Sequence, residues 1–364
     1  MLTFSIFLSY QRTGPPEEYE GTSLYDERLE QAKLADRLGY DLLWVPEHHL
    51  IHFMQAPSTL LLATQIGLSV EMRVGTMVSL LTYRHPLVTA GEVALTDHIL
   101  GGRLELGVGR GAYEYEYERL GMPFSEGKPR FAEALRALET IWHSDEAVSF
   151  EGDFWSFDSS FVWPRPVQRP HPPIWYAAMT EPSIEAAVRG GYHVTNWPFL
   201  APMSRVATVA DVFHRTREEA GGVRGEQQLG ILRGVHVAET EAAARRQIEQ
   251  ALLNHRINQR LHYFTQRADP HGYVYPEPLE QEPTADEIYD NLIMGTPEQC
   301  LEKVEQYHEL GVDQLLLMFD FGPSHEDVVR SMELFATEVM GPFRERHGIA
   351  APRRTGGDKA PVMR

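Results

Sequence analysis

The sequence alternates between two hydrophobic periods, in the same order, eight times between residues 2 and 340. Short apolar runs that read as buried strands fall at 2–9, 41–45, 73–79, 104–108, 174–178, 193–196, 229–238 and 314–319. Between and after them, apolar residues recur at helical spacing over 23–38, 57–66, 86–100, 131–143, 182–189, 203–220, 241–266, 296–310 and 324–340. The boundaries carry matching signals. Ser23 is placed to cap the first helix and Gly39 to stop it, while Pro86 opens the third and Gly101-Gly102 closes it. Strands that alternate with helices pair in parallel, and eight such units close on themselves. The expectation is an α/β protein built as a single (β/α)8 TIM barrel. Such a barrel needs about 250 residues, and the chain has 364.

The excess has three places. Residues 148–173 break the rhythm with aromatics and prolines and read as an ordered surface insertion, hairpin-like in pattern. Residues 268–295 are polar, proline-rich and without periodicity, which marks a long mobile lid loop. Residues 346–364 are basic with Gly and Pro and read as a flexible tail, leaving one domain over 1–345.

Charge and composition narrow the partners. The net charge of −19 argues against nucleic acid and against an anionic membrane. The single cysteine, Cys300, can form no internal disulfide. The apolar N-terminus has no basic stretch before it and no small-residue cleavage site after it, so it reads as a first strand and not a signal peptide. No apolar run approaches the ~20 residues of a membrane span. A soluble, cytoplasmic protein is expected.

In a barrel the chemistry sits at the C-terminal ends of the strands. The second strand ends in Glu47-His48-His49. Neighbours on an extended chain point to opposite faces, which disfavours a metal site and leaves two readings. Either the histidines are packed side chains, or one is a general acid/base with Glu47 orienting or charging the site. The third strand ends near Met77 and Val78, and the fourth in Gly107-Val108-Gly109-Arg110-Gly111, followed by Ala112. That glycine pattern misses the dinucleotide fingerprint by one position. It fits either a tight turn or a close approach of amides and the Arg110 guanidinium to an anion. The fifth strand ends in Ala178-Met179-Thr180, with Ser183 just inside the next helix. Hydroxyls at a helix N-terminus are ordinary caps or phosphate ligands. Two anion-binding features at neighbouring strand ends suggest a phosphorylated cofactor. Phe7, Tyr10, Met77, Met179 and Trp197 could wall a dry pocket for its flat aromatic part.

At Trp44-Val45-Pro46-Glu47-His48-His49, Val74-Gly75-Thr76, His85-Pro86, Gly102 to Gly111, and Gly295-Thr296-Pro297-Glu298-Gln299-Cys300, the chain resembles the luciferase-like flavin monooxygenases. It is most similar in pattern to the bacterial luciferase alpha subunit. The resemblance runs from Phe4 to Met340. It implies a barrel that takes reduced FMN from a separate flavin reductase, activates O2 as a flavin C4a-hydroperoxide and oxygenates a small apolar organic substrate. It implies His48 as the catalytic base, and Arg110, Thr180 and Ser183 as FMN phosphate ligands. It also implies a non-prolyl cis peptide at Met77–Val78 under the flavin ring, a lid over 268–295, and a homodimer packed through the helices after the second and third strands. Gly109 and Met179 stand where that subunit has a reactive cysteine and a glutamate, which alters the pocket. Phe7, Tyr10 and Trp197 are the expected substrate wall. Two other functions remain open: an F420-dependent oxidoreductase of the same superfamily, and a non-catalytic flavin-binding subunit.

Overall fold

The structure, a computed structural model, describes residues 1–15, 24–221, 227–263 and 268–352. Its strands are β1 (Thr3–Phe7), β2 (Leu42–Val45), β3 (Arg73–Leu80), β4 (Leu104–Gly109), β5 (Val148–Glu151), β6 (Ser156–Ser160), β7 (Ile174–Ala177), β8 (His193–Asn196), β9 (Leu229–Val237), β10 (Ile293–Gly295) and β11 (Gln314–Met318). Its helices are α1 (Leu24–Leu38), α2 (Thr59–Gly67), α3 (Pro86–Ile99), α4 (Glu114–Arg119), α5 (Gly127–His143), α6 (Glu181–Arg189), α7 (Met203–Glu219), α8 (Glu241–Arg245), α9 (Ile248–Tyr263), α10 (Ala285–Asn291), α11 (Pro297–Glu309), α12 (His325–Leu334) and α13 (Gly341–His347).

Eight strands close into a parallel barrel in the order β9-β11-β1-β2-β3-β4-β7-β8, and β8 returns to β9. All eight are the apolar runs expected from the sequence. The reason is burial on both faces: β2, β9 and β11 are buried at every position, so their sequences read as continuous apolar runs. One layer of core lies between strands and helices. A second fills the barrel interior, where Phe7, Trp44, Trp175, Leu232, Leu316 and Met318 pack together. The two indoles meet edge to face at 5.4 Å. A side chain at Gly75 would put its Cβ 2.3 Å from the Trp44 ring, so that strand position has to be glycine.

Residues 148–173 do hold a hairpin, with β5 antiparallel to β6. Residues 268–295 differ from the structureless loop expected. Thr284 and Glu287 form a reciprocal cap on α10, and β10 then pairs with the upper half of β9 at Val235–Val237. The preceding polar stretch is tied to α9. Arg256 bonds Glu282 at 2.6 and 2.8 Å, and Arg260 Nη2 donates to the Glu277 carbonyl at 2.8 Å. Polar composition there serves ion pairs and caps, which periodicity does not reveal.

The long helix expected over 241–266 is broken into α8 and α9. The final helix passes through a π-helical turn at Phe335–Met340 into α13. Ser23, residues 264–267 and residues 353–364 lie outside the described residues. Among the described residues, no helix is long and apolar enough to cross a membrane.

Candidate active site at the barrel mouth

Every residue singled out from the sequence stands at or just beyond the C-terminal end of a barrel strand. After β2 the extended backbone sends the three side chains of Glu47-His48-His49 in alternating directions. Glu47, fully buried, accepts the Leu80 N–H at 3.3 Å. Its Oε1 faces His49 Nε2 at 3.0 Å and Arg84 at 3.5 Å. Glu47, expected to orient or charge the site, thus holds His49.

His48 is held by Glu116, on the short helix α4 that follows β4. The Glu116 Oε1 lies 3.0 Å from His48 Nδ1 and also accepts the His49 amide at 2.7 Å. A carboxylate only accepts, so Nδ1 carries the hydrogen and Nε2 is left as the basic nitrogen. The Glu116 side chain is wholly buried, and its Oε2 has no partner among the described residues. The His48 ring stacks on Tyr113 at 4.7 Å, and Tyr113 in turn donates to Asn258 on α9 at 2.7 Å. The imidazole is thus fixed in plane, tautomer and position.

The β3–β4 edge beside it is irregular. The Met77–Val78 peptide is cis, and the register shifts between Thr76 and Ser79. Thr76 Oγ1 donates to the Gly107 carbonyl at 2.7 Å. A Cβ at Gly107 would come within 1.9 Å of the Thr76 carbonyl oxygen, and one at Gly109 within 2.5 Å of Val78. Those glycines admit β3 against β4. Gly111 has φ of 86° and would press a Cβ on Tyr83 and Tyr117. The fingerprint-like run is thus a set of close approaches around Arg110.

The Arg110 carbonyl is fixed by the hydroxyls of Thr82 (2.9 Å) and Tyr117. Its guanidinium lies 4.9 Å from the centroid of the Phe124 ring and makes no ion pair with a carboxylate among the described residues. Burial raises the Tyr176 pKa and the Arg110 charge opposes that rise. Beside it the Tyr83 hydroxyl is buried without a partner among the described residues. Burial first, then the Glu116 carboxylate, drive its pKa well above the usual phenol value.

At the end of β7, Ala178 is buried, Met179 is half exposed, and Thr180 opens α6. The Thr180 amide and hydroxyl both reach Ser183 Oγ, at 3.0 and 3.1 Å. Arg205 of α7 donates to the Met179 carbonyl at 3.1 Å, adding a cation the sequence reading did not single out. Trp197 packs on the interior cluster with Met77, and its Nε1 is buried without a partner among the described residues.

On the other side of His48 lies a cavity of about 510 Å³. Its walls come from residues 48–57 after β2, from Tyr115 and Arg119 on α4, from Tyr25, and from Pro270, His271 and Gly272. Gly272 (φ 78°) brings its backbone so near that a Cβ would lie 2.3 Å from the Leu50 carbonyl oxygen. Phe7, Tyr10 and Trp197 do not line this cavity: Phe7 is interior core, and Tyr10 stands behind Tyr25 at 5.8 Å between ring centres. Ala112 packs with the Tyr113 cluster that backs the cavity.

Glu116, Tyr113 and Arg84 were not singled out from the sequence. The signal available was an acid set among tyrosines directly after the fourth strand, at Tyr113 to Tyr117.

The sequence profile of luciferase-like monooxygenases matches residues 2–314. The oxygenase component of the flavin-dependent trigonelline monooxygenase of Acinetobacter baylyi is 31% identical over 357 residues, 94% of this chain and 96% of that one. The FMNH2-dependent dimethylsulfone monooxygenase of Pseudomonas putida is 27% identical over 271 residues, 71% of each chain. Among solved structures, the monooxygenase RslO1 from Streptomyces bottropensis superposes with a TM-score of 0.79 at 26% identity, covering 94% of this chain and 99% of that one. An F420-dependent secondary alcohol dehydrogenase shares the fold at a TM-score of 0.71 and 19% identity, with coverage of 94% and 99%.

Proposed function

The chain belongs to the luciferase-like monooxygenase family, and on that premise we propose that it is the oxygenase component of a two-component flavin-dependent monooxygenase. Reduced FMN comes from a separate flavin reductase, and one oxygen atom of O2 enters a small organic substrate with a largely apolar body. The observation that carries the reading is His48, fixed by a buried Glu116 at the edge of a cavity of about 510 Å³.

The residues at the mouth suit the cofactor. Arg110, without an ion pair among the described residues, offers a guanidinium for the phosphate, and the hydroxyls of exposed Thr180 and half-buried Ser183 stand at the α6 N-terminus. The irregular β3–β4 edge at the cis Met77–Val78 peptide is the surface offered to a flat ring. Reduced flavin, when bound, supplies the electrons and the activation of oxygen. The protein supplies the remainder. His48 Nε2 takes or returns a proton, while Glu116 holds the opposite nitrogen and stabilises the charge that forms. Glu47, Arg84 and His49 form a second paired set that fixes the backbone beneath. Tyr113, Phe53, Ile51 and Met54, all buried, keep water from that side.

The proposed assembly is a cytoplasmic homodimer through α2 and α3. Its support is the outward array Leu61, Leu68, Val88, Leu95 and Ile99, which are 69, 63, 56, 52 and 42% exposed.

The test supplies reductase-generated FMNH2 and 18O2 with a panel of small organic substrates. One labelled oxygen per product molecule is expected, together with tight anaerobic binding of FMNH2. Absence of label from every product, with F420 bound far more tightly than FMN, overturns the reading in favour of hydride transfer.

A further inference from the structure

The chain has 52 acidic residues against 33 basic ones, yet among the described residues no Asp or Glu lines the cavity beside His48. Its polar lining consists of Arg119, His48, His52, His271, Gln55 and the tyrosines Tyr25 and Tyr115. In a protein of net charge −19, a cavity whose described lining holds a guanidinium and no carboxylate is a local inversion of the surface.

The inversion centres on Arg119. Its guanidinium lies over the Tyr115 ring, with Cζ 3.4 Å from the centroid, and among the described residues no carboxylate pairs with it. Burial raises the Tyr115 pKa, the Arg119 charge opposes that rise, and the Asp269 charge adds to it. Asp269 Oδ1 is turned onto the backbone amides of His271 and Tyr273, at 2.8 and 2.9 Å. Glu116 faces His48 and His49 from behind the wall. Stacking on one face leaves the edge N–H groups of a guanidinium available, and that edge matches a carboxylate bidentately. Leu50, Ile51, Met54, Pro57 and Pro270 supply an apolar contact surface in the same cavity. A volume of about 510 Å³ falls within the ~300–1,000 Å³ of small-molecule sites.

We propose that this cavity selects a small organic carboxylate, gripped by Arg119 stacked on Tyr115, with its planar or apolar body lying toward His48. The proposal rests on the oxygenase reading for its catalytic meaning and sharpens the substrate from an apolar molecule to an apolar body with one anionic end.

The experiment measures binding to the FMN-loaded protein by equilibrium dialysis. The probes are benzoate and nicotinate, each beside its neutral amide, with wild type, Arg119→Gln and Arg119→Lys. Wild type is expected to prefer each carboxylate over its amide. Arg119→Gln should weaken the carboxylates about 10- to 100-fold, the range of one charge-assisted bidentate contact, and leave the amides and FMN unchanged. Arg119→Lys, which keeps the charge but loses the fork, should fall between them. Equal binding of carboxylate and amide, no binding of either carboxylate at millimolar concentration, or an unchanged preference in Arg119→Gln overturns the proposal. The two readings fail separately. Carboxylate binding through Arg119 without 18O incorporation sinks the oxygenase reading alone. Labelled product from a neutral substrate, with KM unmoved by Arg119→Gln, sinks the carboxylate site alone.

Discussion

The lower and upper ends of the barrel treat buried polar groups in opposite ways. At the lower end, the Trp44 indole donates to Gln314 at 2.9 Å and the Trp175 indole to Glu105 at 2.8 Å. Glu105 is closed off by Arg73 at 2.6 Å. At the mouth, Trp197 Nε1, the Tyr83 hydroxyl and Glu116 Oε2 are all buried with no partner among the described residues. An unmet buried polar group costs about 1–3 kcal/mol. The lower end is organised for stability, and the mouth keeps hydrogen-bonding capacity that a bound molecule can use.

That contrast can be broken first from below. Trp175→Ala removes a fully buried indole and strands Glu105, and large-to-small aromatic changes in cores cost about 3–5 kcal/mol. Denaturant unfolding should show a loss of that order. Trp197→Phe, made at the half-buried mouth, should cost well under half as much. Similar losses for the two variants would erase the distinction between the ends.

The proposed base gives the next largest effect. His48→Gln should lower turnover about 10²- to 10⁴-fold, the usual weight of a general acid/base, with the unfolding midpoint scarcely moved. Glu116→Gln keeps the shape but no longer fixes the proton on Nδ1. It should lower turnover about 10- to 100-fold, by analogy with groups that orient a ligand histidine, and shift the pH–rate profile. If Glu116→Gln changes stability and leaves both turnover and profile intact, the carboxylate is structural and His48 is not positioned by it.

What could be read from the chain divides along the same line. The eight strands were legible because both faces of each are buried, and the cluster of functional positions followed because a barrel exposes chemistry only at one end. His48 and Arg110 were singled out this way, and the cis Met77–Val78 peptide followed from the family resemblance. Glu116 was not, since its meaning lies in a contact with a histidine 68 positions earlier. Glu47 was expected to orient or charge the site without a named partner, and its contact is local: it reaches the i+2 side chain, His49, and not the adjacent His48. Gly107 and Gly109 were read toward an anion, yet the nearest atoms to their absent side chains belong to Thr76 and Val78. Close packing of two strands at an irregular register leaves the same mark in a sequence as a ligand does. Residues 284–295 hid a helix and a strand because their order comes from a cap and from pairing with β9, neither of which has a hydrophobic period.

The smallest effect tests the lower end through a proton. Burial pulls His193 down to about 4, from an ordinary value near 6.5. Its ring stacks on Trp175 at 4.6 Å, and its Nδ1 accepts the Gln228 amide at 3.0 Å, so the folded protein requires the neutral imidazole there. Between pH 6.5 and 4 the unfolded chain holds the extra proton and the folded one does not. Stability from this site is therefore complete above pH 6.5 and falls away as the pH drops toward 4. The unfolding midpoint should decline between pH 7 and 4.5, and His193→Asn should flatten part of that decline after an initial loss at pH 7. Buried His236, also held near 4, carries a further share that His193→Asn leaves in place. An identical pH slope in wild type and His193→Asn would mean that the stacked imidazole is not what makes the lower barrel acid-sensitive.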